Sequence, residues 1–316
     1  MTRCQRPSRP GPPVPAVFLS RSRSARWLTA PPQLPAIYWT VRCLSQERVN
    51  MALTLKVLLE NRRAAGANPL LQAKAGLSLL IEDETTSILF DTGPDDSFLR
   101  NAALMGVDLS RITATVLSHG HYDHCGGVAW LPDNSRIICH PQVGDERYAA
   151  LKVLGHTHKI KKLSLDIDYS RHNMHYSREP LAIGDRFMWS GEIAVPAPRA
   201  YGVITGENAA VDYVIDEGVL IYKSDRGLVI VTGCGHRGIV NIVRHCQKIT
   251  GIDRIHALIG GFHLRCASPR TLWRVRRFLR QHQPEKIMGC HCTGAWGRLW
   301  LPEDIAPATG DSWILE

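Results

Sequence analysis

The strongest chemical signal in the sequence is a run that holds three histidines and one aspartate within six residues: His119, His121, Asp123 and His124. Neutral imidazoles and carboxylates are common ligands of divalent metal ions in proteins. The run follows an apolar segment typical of a buried strand, and its glycines allow the backbone to turn tightly around an ion. The pattern therefore predicts a site for one or two divalent metal ions. A solvated histidine-rich loop is the alternative.

Four residues cannot complete two metal sites, so further ligands must come from elsewhere in the chain. Three later segments, residues 232–236, 260–263 and 289–294, each follow a predicted buried strand and carry His or Cys. In open α/β sheets, binding sites lie at the carboxyl ends of the strands. For each segment taken alone, a core or helix-capping role is the alternative. The further candidate ligands are Cys234, His236, His263 and His291.

Asp91 stands at the end of an earlier predicted strand. A carboxylate in that position can accept a hydrogen bond from a ligand imidazole and so orient the ring. A turn cap is the alternative reading of Asp91, and the sequence favours neither.

The elements that must position these side chains alternate between strands and helices. Hairpins are predicted at residues 77–90 and 218–231; further strands are predicted at 113–117, 136–139, 186–189, 193–195, 257–259 and 286–288, and helices at 96–105, 238–249 and 269–279. Residues 144–180 are polar with little periodicity, which predicts a surface excursion or lid. The mixture predicts an α/β protein in which sheets are sandwiched between helices.

The first 50 residues differ from the rest and are predicted to be a disordered extension of a domain at residues 51–316. They contain eight of the 19 prolines, and their eight Arg and one Glu carry +7 of the net charge of +9. This Arg-rich, acid-poor composition is typical of an organellar transit peptide. A wrongly assigned start upstream of Met51 and a functional basic tail are the alternatives.

Composition excludes several functional classes. The remaining charge of +2 gives residues 51–316 no basic character, so nucleic-acid binding is not expected. No segment approaches the roughly 18 apolar residues that cross a membrane. The nine cysteines are odd in number and lack the spacing of a small disulfide scaffold, which favours a reducing compartment. We therefore expect a cytoplasmic protein, or an organellar-matrix protein if the extension is a transit peptide; the sequence does not indicate an oligomeric state.

Residues 119–124 match the HxHxDH signature of the metallo-β-lactamase superfamily. Residues 90–93, 231–242, 260–263 and 291–294 resemble the subgroup related to dihydropterin (ribofuranosyl)aminobenzene phosphate synthase. The resemblance covers residues 53–315. It implies an αββα sandwich of two mixed β-sheets flanked by helices, with metal ions at one edge between the sheets.

The resemblance also implies a ligand arrangement. Superfamily members commonly bind a first metal through the first two motif histidines and a later histidine, and a second through the motif's aspartate, its last histidine and a distant histidine. Cys234 stands where an aspartate usually bridges the two ions, and a thiolate favours zinc or iron over magnesium or manganese. Zinc is the expected metal, with iron or manganese as alternatives. Whether His263 or His291 is the distal ligand stays open. The family's usual GHTPG-like segment is missing, and residues 216–217 occupy that neighbourhood.

Such a centre predicts a hydrolase in which a metal-activated water attacks an electrophile. Asp123 could orient that water and take its proton. The expected partner is a small-molecule substrate, and the lysines within residues 159–162 could meet an anionic one, although a solvated surface also explains them. The resemblance suggests a second function, a transferase that joins a pterin to an aminobenzene phosphate. A third is a non-catalytic metal-binding or redox-sensing protein that uses Cys234, Cys290 and Cys292.

Overall fold

The strands and helices largely follow the apolar patterns of the sequence. The computed structural model describes residues 52–153, 155–206, 209–302 and 304–315. The strands of those residues are β1 (Thr54–Leu59), β2 (Ser78–Glu82), β3 (Ser87–Phe90), β4 (Ala114–Val116), β5 (Arg136–Cys139), β6 (Glu146–Val153), β7 (His156–Lys162), β8 (Asn173–Tyr176), β9 (Leu181–Ile183), β10 (Phe187–Trp189), β11 (Gly202–Thr205), β12 (Ala210–Asp212), β13 (Val219–Ser224), β14 (Gly227–Thr232), β15 (Ile255–Gly261), β16 (Lys286–Cys290), β17 (Asp304–Ile305) and β18 (Ser312–Ile314). The helices are α1 (Ser97–Leu104), α2 (Tyr122–Cys125), α3 (Ile239–Thr250), α4 (Pro269–His282) and α5 (Gly294–Arg298).

Two mixed sheets of seven strands each form the centre of the described part of the chain. Their orders are β18-β1-β2-β3-β4-β5-β8 and β17-β16-β15-β14-β13-β10-β9. In each sheet an antiparallel hairpin, β2–β3 or β13–β14, is followed by parallel strands. The parallel strands of one sheet end at one edge, so the chemically active segments that follow them can converge.

Alternating side chains decide which layer each strand face contacts. In β14, Val229 and Val231 pack into the core between the two sheets, where residues of the first sheet also lie. Leu228 and Ile230 point the other way and pack against helices α3 and α4. In β3, Phe90 lies in the central core, whereas Leu89 packs in a cluster that also contains the α1 side chain of Phe98. Burial of both faces of each sheet gives four layers and confirms the predicted αββα sandwich.

The predicted irregular excursion at residues 144–180 is wrong in its local structure. Strands β6 and β7 form an antiparallel hairpin in a third sheet, of order β12-β11-β6-β7, and β8 joins the first sheet. Pattern reasoning misses β7 because nearly all of its residues, His156–Lys162, are exposed on both faces. Such a strand shows no alternation between apolar and polar residues.

The predicted strand at residues 193–195 is absent; the backbone there forms no strand. The Arg237 guanidinium donates two hydrogen bonds to the Ile193 carbonyl, at 2.9 and 2.7 Å. A side chain therefore satisfies the backbone acceptor that a neighbouring strand would otherwise satisfy.

The predicted extension at residues 1–50 lies outside the described residues, so that prediction and its boundary near Met51 stay untested. Across the described residues, no helix has the length and apolar character that a membrane crossing requires.

Candidate metal centre

The HxHxDH run leaves β4 as extended chain and then enters a helical turn. His121 has extended backbone angles, φ −77° and ψ 142°, and α2 begins at the next residue. In an extended segment, residues two apart point to the same side, so His119 and His121 project together. The helical turn then places Asp123 and His124 beside them.

Three histidines form what we call the first ligand set: His119, His121 and His236. All three are buried, and one ligand nitrogen from each lies within 4.8 Å of the others. His119 Nε2 is 3.1 Å from His121 Nδ1. Among the described residues, the buried His121 Nε2 has no hydrogen-bond partner. Three imidazole nitrogens that converge in this way fit a divalent cation.

Asp123, His124 and His291 form the second ligand set, and their ligand atoms also lie within 4.8 Å of one another. His291 Nε2 is 3.3 Å from Asp123 Oδ2. The structure thus places His291, and not His263, beside the motif's aspartate and last histidine. An ion held here would have mixed nitrogen and oxygen ligands, as zinc sites commonly have.

Cys234 lies between the two ligand sets. Its Sγ is 3.1 Å from His124 Nε2, and it lies within 4.8 Å of ligand nitrogens of both His119 and His124. His263 sits further along, in a group with Cys234 and His236. All the candidate ligands predicted from the sequence are therefore brought to one place, while their roles as ligands stay predictions.

The imidazoles are oriented from behind by carboxylates and an amide. His124 Nδ1–H donates to Asp91 Oδ2 at 2.6 Å, so Asp91 makes the contact expected of an orienting acceptor. His236 Nδ1–H donates to Glu217 Oε1 at 3.1 Å, and His291 Nδ1–H donates to Asn61 Oδ1 at 2.9 Å. Each bond fixes the tautomer that leaves Nε2 free to face the centre.

Strained backbone holds three of these positions. Asp91, His263 and His291 have φ angles of 56°, 49° and 45°, in the left-handed region that non-glycine residues rarely adopt. For His291 the surrounding contacts fix the conformation, because Glu60 Oε1 accepts its backbone N–H at 2.7 Å. Such strain costs about 1–3 kcal/mol per residue and clusters at functional sites.

A buried ion network holds the loop between the first two histidines. Arg147 of β6 contacts Asp212 at 2.7 Å and Asp216 at 3.0 Å, and all three side chains are buried. Asp216 in turn accepts the Gly120 N–H at 2.8 Å. The third sheet is thereby connected to the backbone that positions His119 and His121. Asp216 thus contacts the loop between His119 and His121, and Glu217 contacts His236.

Electrostatics favour a cation in the centre. Burial lowers the pKa of His119 and His121 well below the ordinary value, and neighbouring imidazoles lower it further, so both stay neutral ligands. For His124, burial also lowers the pKa, but Asp91 and Asp123 outweigh it and raise the value to about 9. Burial would raise the pKa of Asp123, yet the neighbouring imidazoles hold it well below its usual range. The proton that these carboxylates stabilise on His124 occupies the place that a divalent ion would take.

Burial and neighbouring groups also shift the pKa values of Glu217 and Cys234. Burial would raise the pKa of Glu217, but His236 lowers it to about 2, so Glu217 is ionised. Burial raises the pKa of the Cys234 thiol well above its ordinary value. A nearby divalent cation would favour the thiolate instead.

The sequence profile of the Metallo-beta-lactamase superfamily matches residues 72–240. The chain belongs to the metallo-β-lactamase superfamily. A protein of Methanocaldococcus jannaschii named 7,8-dihydropterin-6-methyl-4-(beta-D-ribofuranosyl)-aminobenzene-5'-phosphate synthase is 32% identical over 250 residues, which are 73% of this chain and 84% of that protein. A second, uncharacterised protein of that organism is 31% identical over 251 residues, 76% of this chain and 90% of that protein.

Among solved structures, Tm1679, described as a metal-dependent hydrolase of the beta-lactamase superfamily, superposes with a TM-score of 0.70 at 26% identity. The match covers 83% of this chain and 98% of that one. The resemblance predicted from the motifs is therefore confirmed at the level of the superfamily and its fold. Members of this fold typically bind divalent metals, and the two ligand sets provide matching donors.

A cavity of about 430 Å³ opens beside this metallo-β-lactamase centre. Its lining includes His236 and His263 together with Arg199, Tyr201 and Asn241. The Tyr201 ring packs edge-on against both histidines, with ring centroids 4.7 and 5.0 Å away. Burial raises the pKa of Tyr201 to about 12, so the hydroxyl stays protonated and donates to the His236 carbonyl at 3.0 Å.

Sequence reasoning missed several residues of the centre. Glu60 and Asn61 contact His291 directly after β1, a strand-end position that could have identified them in the same way as Asp91. The sequence does not predict the role of Arg147, because a single arginine in a polar segment is normally exposed to solvent. The sequence suggests one shared role for Cys290 and Cys292, but the structure separates them: Cys290 lies in the central core, whereas Cys292 lies beside Cys234 and His291.

Proposed function

We propose that the protein is a metal-dependent hydrolase that acts on a small, anionic substrate. The observation that carries the proposal is the convergence of two ligand sets around Cys234, next to a cavity large enough for a small molecule. The match to Tm1679, described as a metal-dependent hydrolase, supports the same class. Zinc is the proposed metal, because Cys234 adds a soft ligand to the histidines.

When bound at such a site, divalent ions supply Lewis-acid catalysis and a nucleophile at neutral pH. The chain's own residues then orient the reactants. Asp123 is ionised and its side chain is 18% exposed, so it can accept a hydrogen bond from the attacking water and direct it. The rings of Tyr201 and His263 pack edge-on, with centroids 5.0 Å apart, and both line the cavity beside the centre.

The cavity supports an anionic substrate. Arg199 lines it and stacks over the Tyr201 ring, with its guanidinium carbon 5.4 Å from the ring centroid. A guanidinium pairs well with a carboxylate or phosphate. Arg199 lies outside both ligand sets, so it can serve substrate binding without acting on the metal.

The test is a hydrolysis screen of the zinc-loaded full chain against paired esters, thioesters, phosphoesters and lactams that differ in the presence of an anionic group. We expect turnover of an anionic member, abolished in His121→Ala. In Arg199→Ala we expect a higher KM for the anionic member and an unchanged KM for its neutral partner. Stoichiometric zinc without turnover of any member would contradict the proposal.

A second candidate function is a transferase like the curated relative, whose name describes a synthase of a dihydropterin–ribofuranosylaminobenzene phosphate conjugate. The specific observation is 32% identity extending over 84% of that protein. The screen above therefore includes a mixture of a dihydropterin and a ribofuranosylaminobenzene phosphate, analysed by mass spectrometry. A conjugate formed in place of hydrolysis products would favour the transferase.

A further inference from the structure

Two cysteines that lie 58 residues apart in the sequence meet beside the metal centre. Cys234 follows β14 and Cys292 follows β16, the strands on either side of β15. The Cys292 thiol donates to the Cys234 carbonyl at 3.0 Å, and the two sulfurs lie within 4.8 Å of each other. A disulfide bond of about 2.05 Å would therefore require the sulfurs to approach by at most about 3 Å.

The backbone between the two cysteines leaves this approach open. Gly261 ends β15, and a Cβ there would lie 2.7 Å from Cys292 Sγ and 3.1 Å from Cys234 Cα. Thr293 Oγ1 accepts the Phe262 N–H at 3.0 Å, which joins the turn after β16 to the turn after β15. The turns thus hold the cysteines side by side, with no side chain at Gly261 to separate them.

The two thiols differ in their access to solvent. Cys292 is partly exposed and lines a second cavity, of about 160 Å³, whereas Cys234 is buried. A cavity of this size admits hydrogen peroxide, which is little larger than water. Arg199 and Arg265 line the same cavity, and positive charge beside a thiol favours the thiolate, the form that oxidants attack. An oxidant therefore reaches Cys292 first.

We propose that Cys234 and Cys292 form a reversible disulfide that hydrogen peroxide closes, and that this bond switches the metal centre off. The inference rests on the proposed function, because it assigns a regulation to the same centre. A sulfur in a disulfide lacks the negative charge with which a thiolate binds a metal ion. Closing the bond removes Cys234, which lies between the two ligand sets, and so weakens the binding of zinc.

The oxidation has two steps. The Cys292 thiolate attacks one oxygen of hydrogen peroxide; the O–O bond breaks, a sulfenic acid forms, and the other oxygen leaves as water with the proton of the Cys292 thiol. The Cys234 sulfur then attacks the Cys292 sulfur; the S–S bond forms, the S–O bond breaks, and a second water leaves with the proton of the Cys234 thiol. The two thiols thus lose two electrons and two protons, which reduce one peroxide to two waters.

The test oxidises the zinc-loaded full chain with hydrogen peroxide and measures the bond and the metal separately. Mass spectrometry of tryptic peptides should find residues 227–237, which contain Cys234, linked to residues 287–298, which contain Cys292. A chromophoric chelator should show zinc binding weakened at least about tenfold, because even a contact behind a ligand contributes that much. A thiol reductant should restore the binding. In the metal-free chain the bond should form faster, because no ion holds Cys234.

Matched variants assign the bond to the two cysteines. Residues 287–298 also contain Cys290, so Cys290→Ala should keep the disulfide and the release of zinc. Cys266→Ser should keep both as well, although Cys266 is exposed and lines the same cavity. Cys292→Ser should lose both the disulfide and the release of zinc by peroxide.

The wild-type measurement decides the inference even if a variant fails to fold. A Cys292 that stays reduced, that bonds to Cys266 or Cys290, or that bonds to Cys234 without release of zinc would overturn it. Neither readout depends on hydrolysis, so the proposed function is tested apart from the disulfide. A disulfide that forms and releases zinc, in a chain that hydrolyses no substrate before oxidation, would reject the proposed function alone.

Discussion

Asp91 is a sensitive point of the metal centre because one buried carboxylate serves three donors. Its Oδ2 accepts from His124 Nδ1 at 2.6 Å and from the Ser118 hydroxyl at 2.8 Å, and its Oδ1 accepts the Ser118 N–H at 2.7 Å. In Asp91→Asn the shape is kept, but one oxygen becomes an amide NH₂. The backbone N–H of Ser118 can only donate, so the remaining oxygen is held there and the NH₂ faces His124.

The imidazole of His124 can satisfy that NH₂ only by making Nδ1 the acceptor. The proton then moves to Nε2, which faces Cys234 and the second ligand set, and the lone pair needed for a metal ion is lost. Loss of an orienting contact behind a metal ligand typically costs 10- to 100-fold in affinity. At about 1.4 kcal/mol per tenfold, that is about 1.4–2.8 kcal/mol.

The assay is a competitive zinc titration with a chromophoric chelator, together with urea unfolding of the metal-free protein. We expect about 10- to 100-fold weaker binding of one ion in Asp91→Asn, while the ion at the first ligand set keeps its affinity. Asp108→Asn is the matched control, because Asp108 is exposed and, within the part of the chain that the structure describes, accepts side-chain hydrogen bonds only from Ser110. A folded Asp91→Asn protein whose zinc affinities all lie within about twofold of wild type would show that Asp91 does not control the tautomer of His124.

His121→Ala should remove most bound metal, since one of few ligands is lost, whereas exposed His158→Ala should not; equal metal content by elemental analysis would contradict this. Arg147→Met should destabilise the fold by about 3–5 kcal/mol at pH 8, because it leaves buried carboxylates unpaired. Burial raises the pKa of Asp216 to about 6, although the Arg147 guanidinium opposes the rise. Without that guanidinium the pKa of Asp216 rises further, so Asp216 is neutral near pH 5 and the loss of unfolding free energy should be smaller there. If urea unfolding shows the same loss of unfolding free energy at pH 8 and pH 5, the ion pair of Arg147 with Asp216 does not stabilise the fold as predicted. Cys234→Ser should shift metal preference from zinc toward manganese, and unchanged selectivity in a metal titration would count against Cys234 as a ligand.

Local sequence patterns predicted most of the candidate metal ligands, because these residues directly follow the ends of strands. The run from His119 to His124 lies within one strand end and one helical turn, so its spacing alone shows that the side chains converge. The succession of strands and helices along the chain likewise predicted sheets sandwiched between helices. Both depend only on neighbours in sequence.

The assignment of distant ligands could not be predicted in this way. His236 joins the first ligand set and His291 the second because strands far apart in sequence end at neighbouring points of two packed sheets. The third sheet could not be predicted for a different reason. Nearly all residues of β7 are exposed, so its sequence lacks the alternation of apolar and polar residues that identifies a half-buried strand. Arg147 lies in β6 of that sheet, so its burial could not be predicted either.

The most direct test of the metal centre is anomalous diffraction at the zinc edge from crystals of the zinc-loaded full chain. We expect one strong peak within coordination distance of the first ligand set and another within coordination distance of the second. About 2.0–2.1 Å is expected for each zinc–nitrogen bond. Stoichiometric zinc bound elsewhere, or none retained at these histidines, would contradict it.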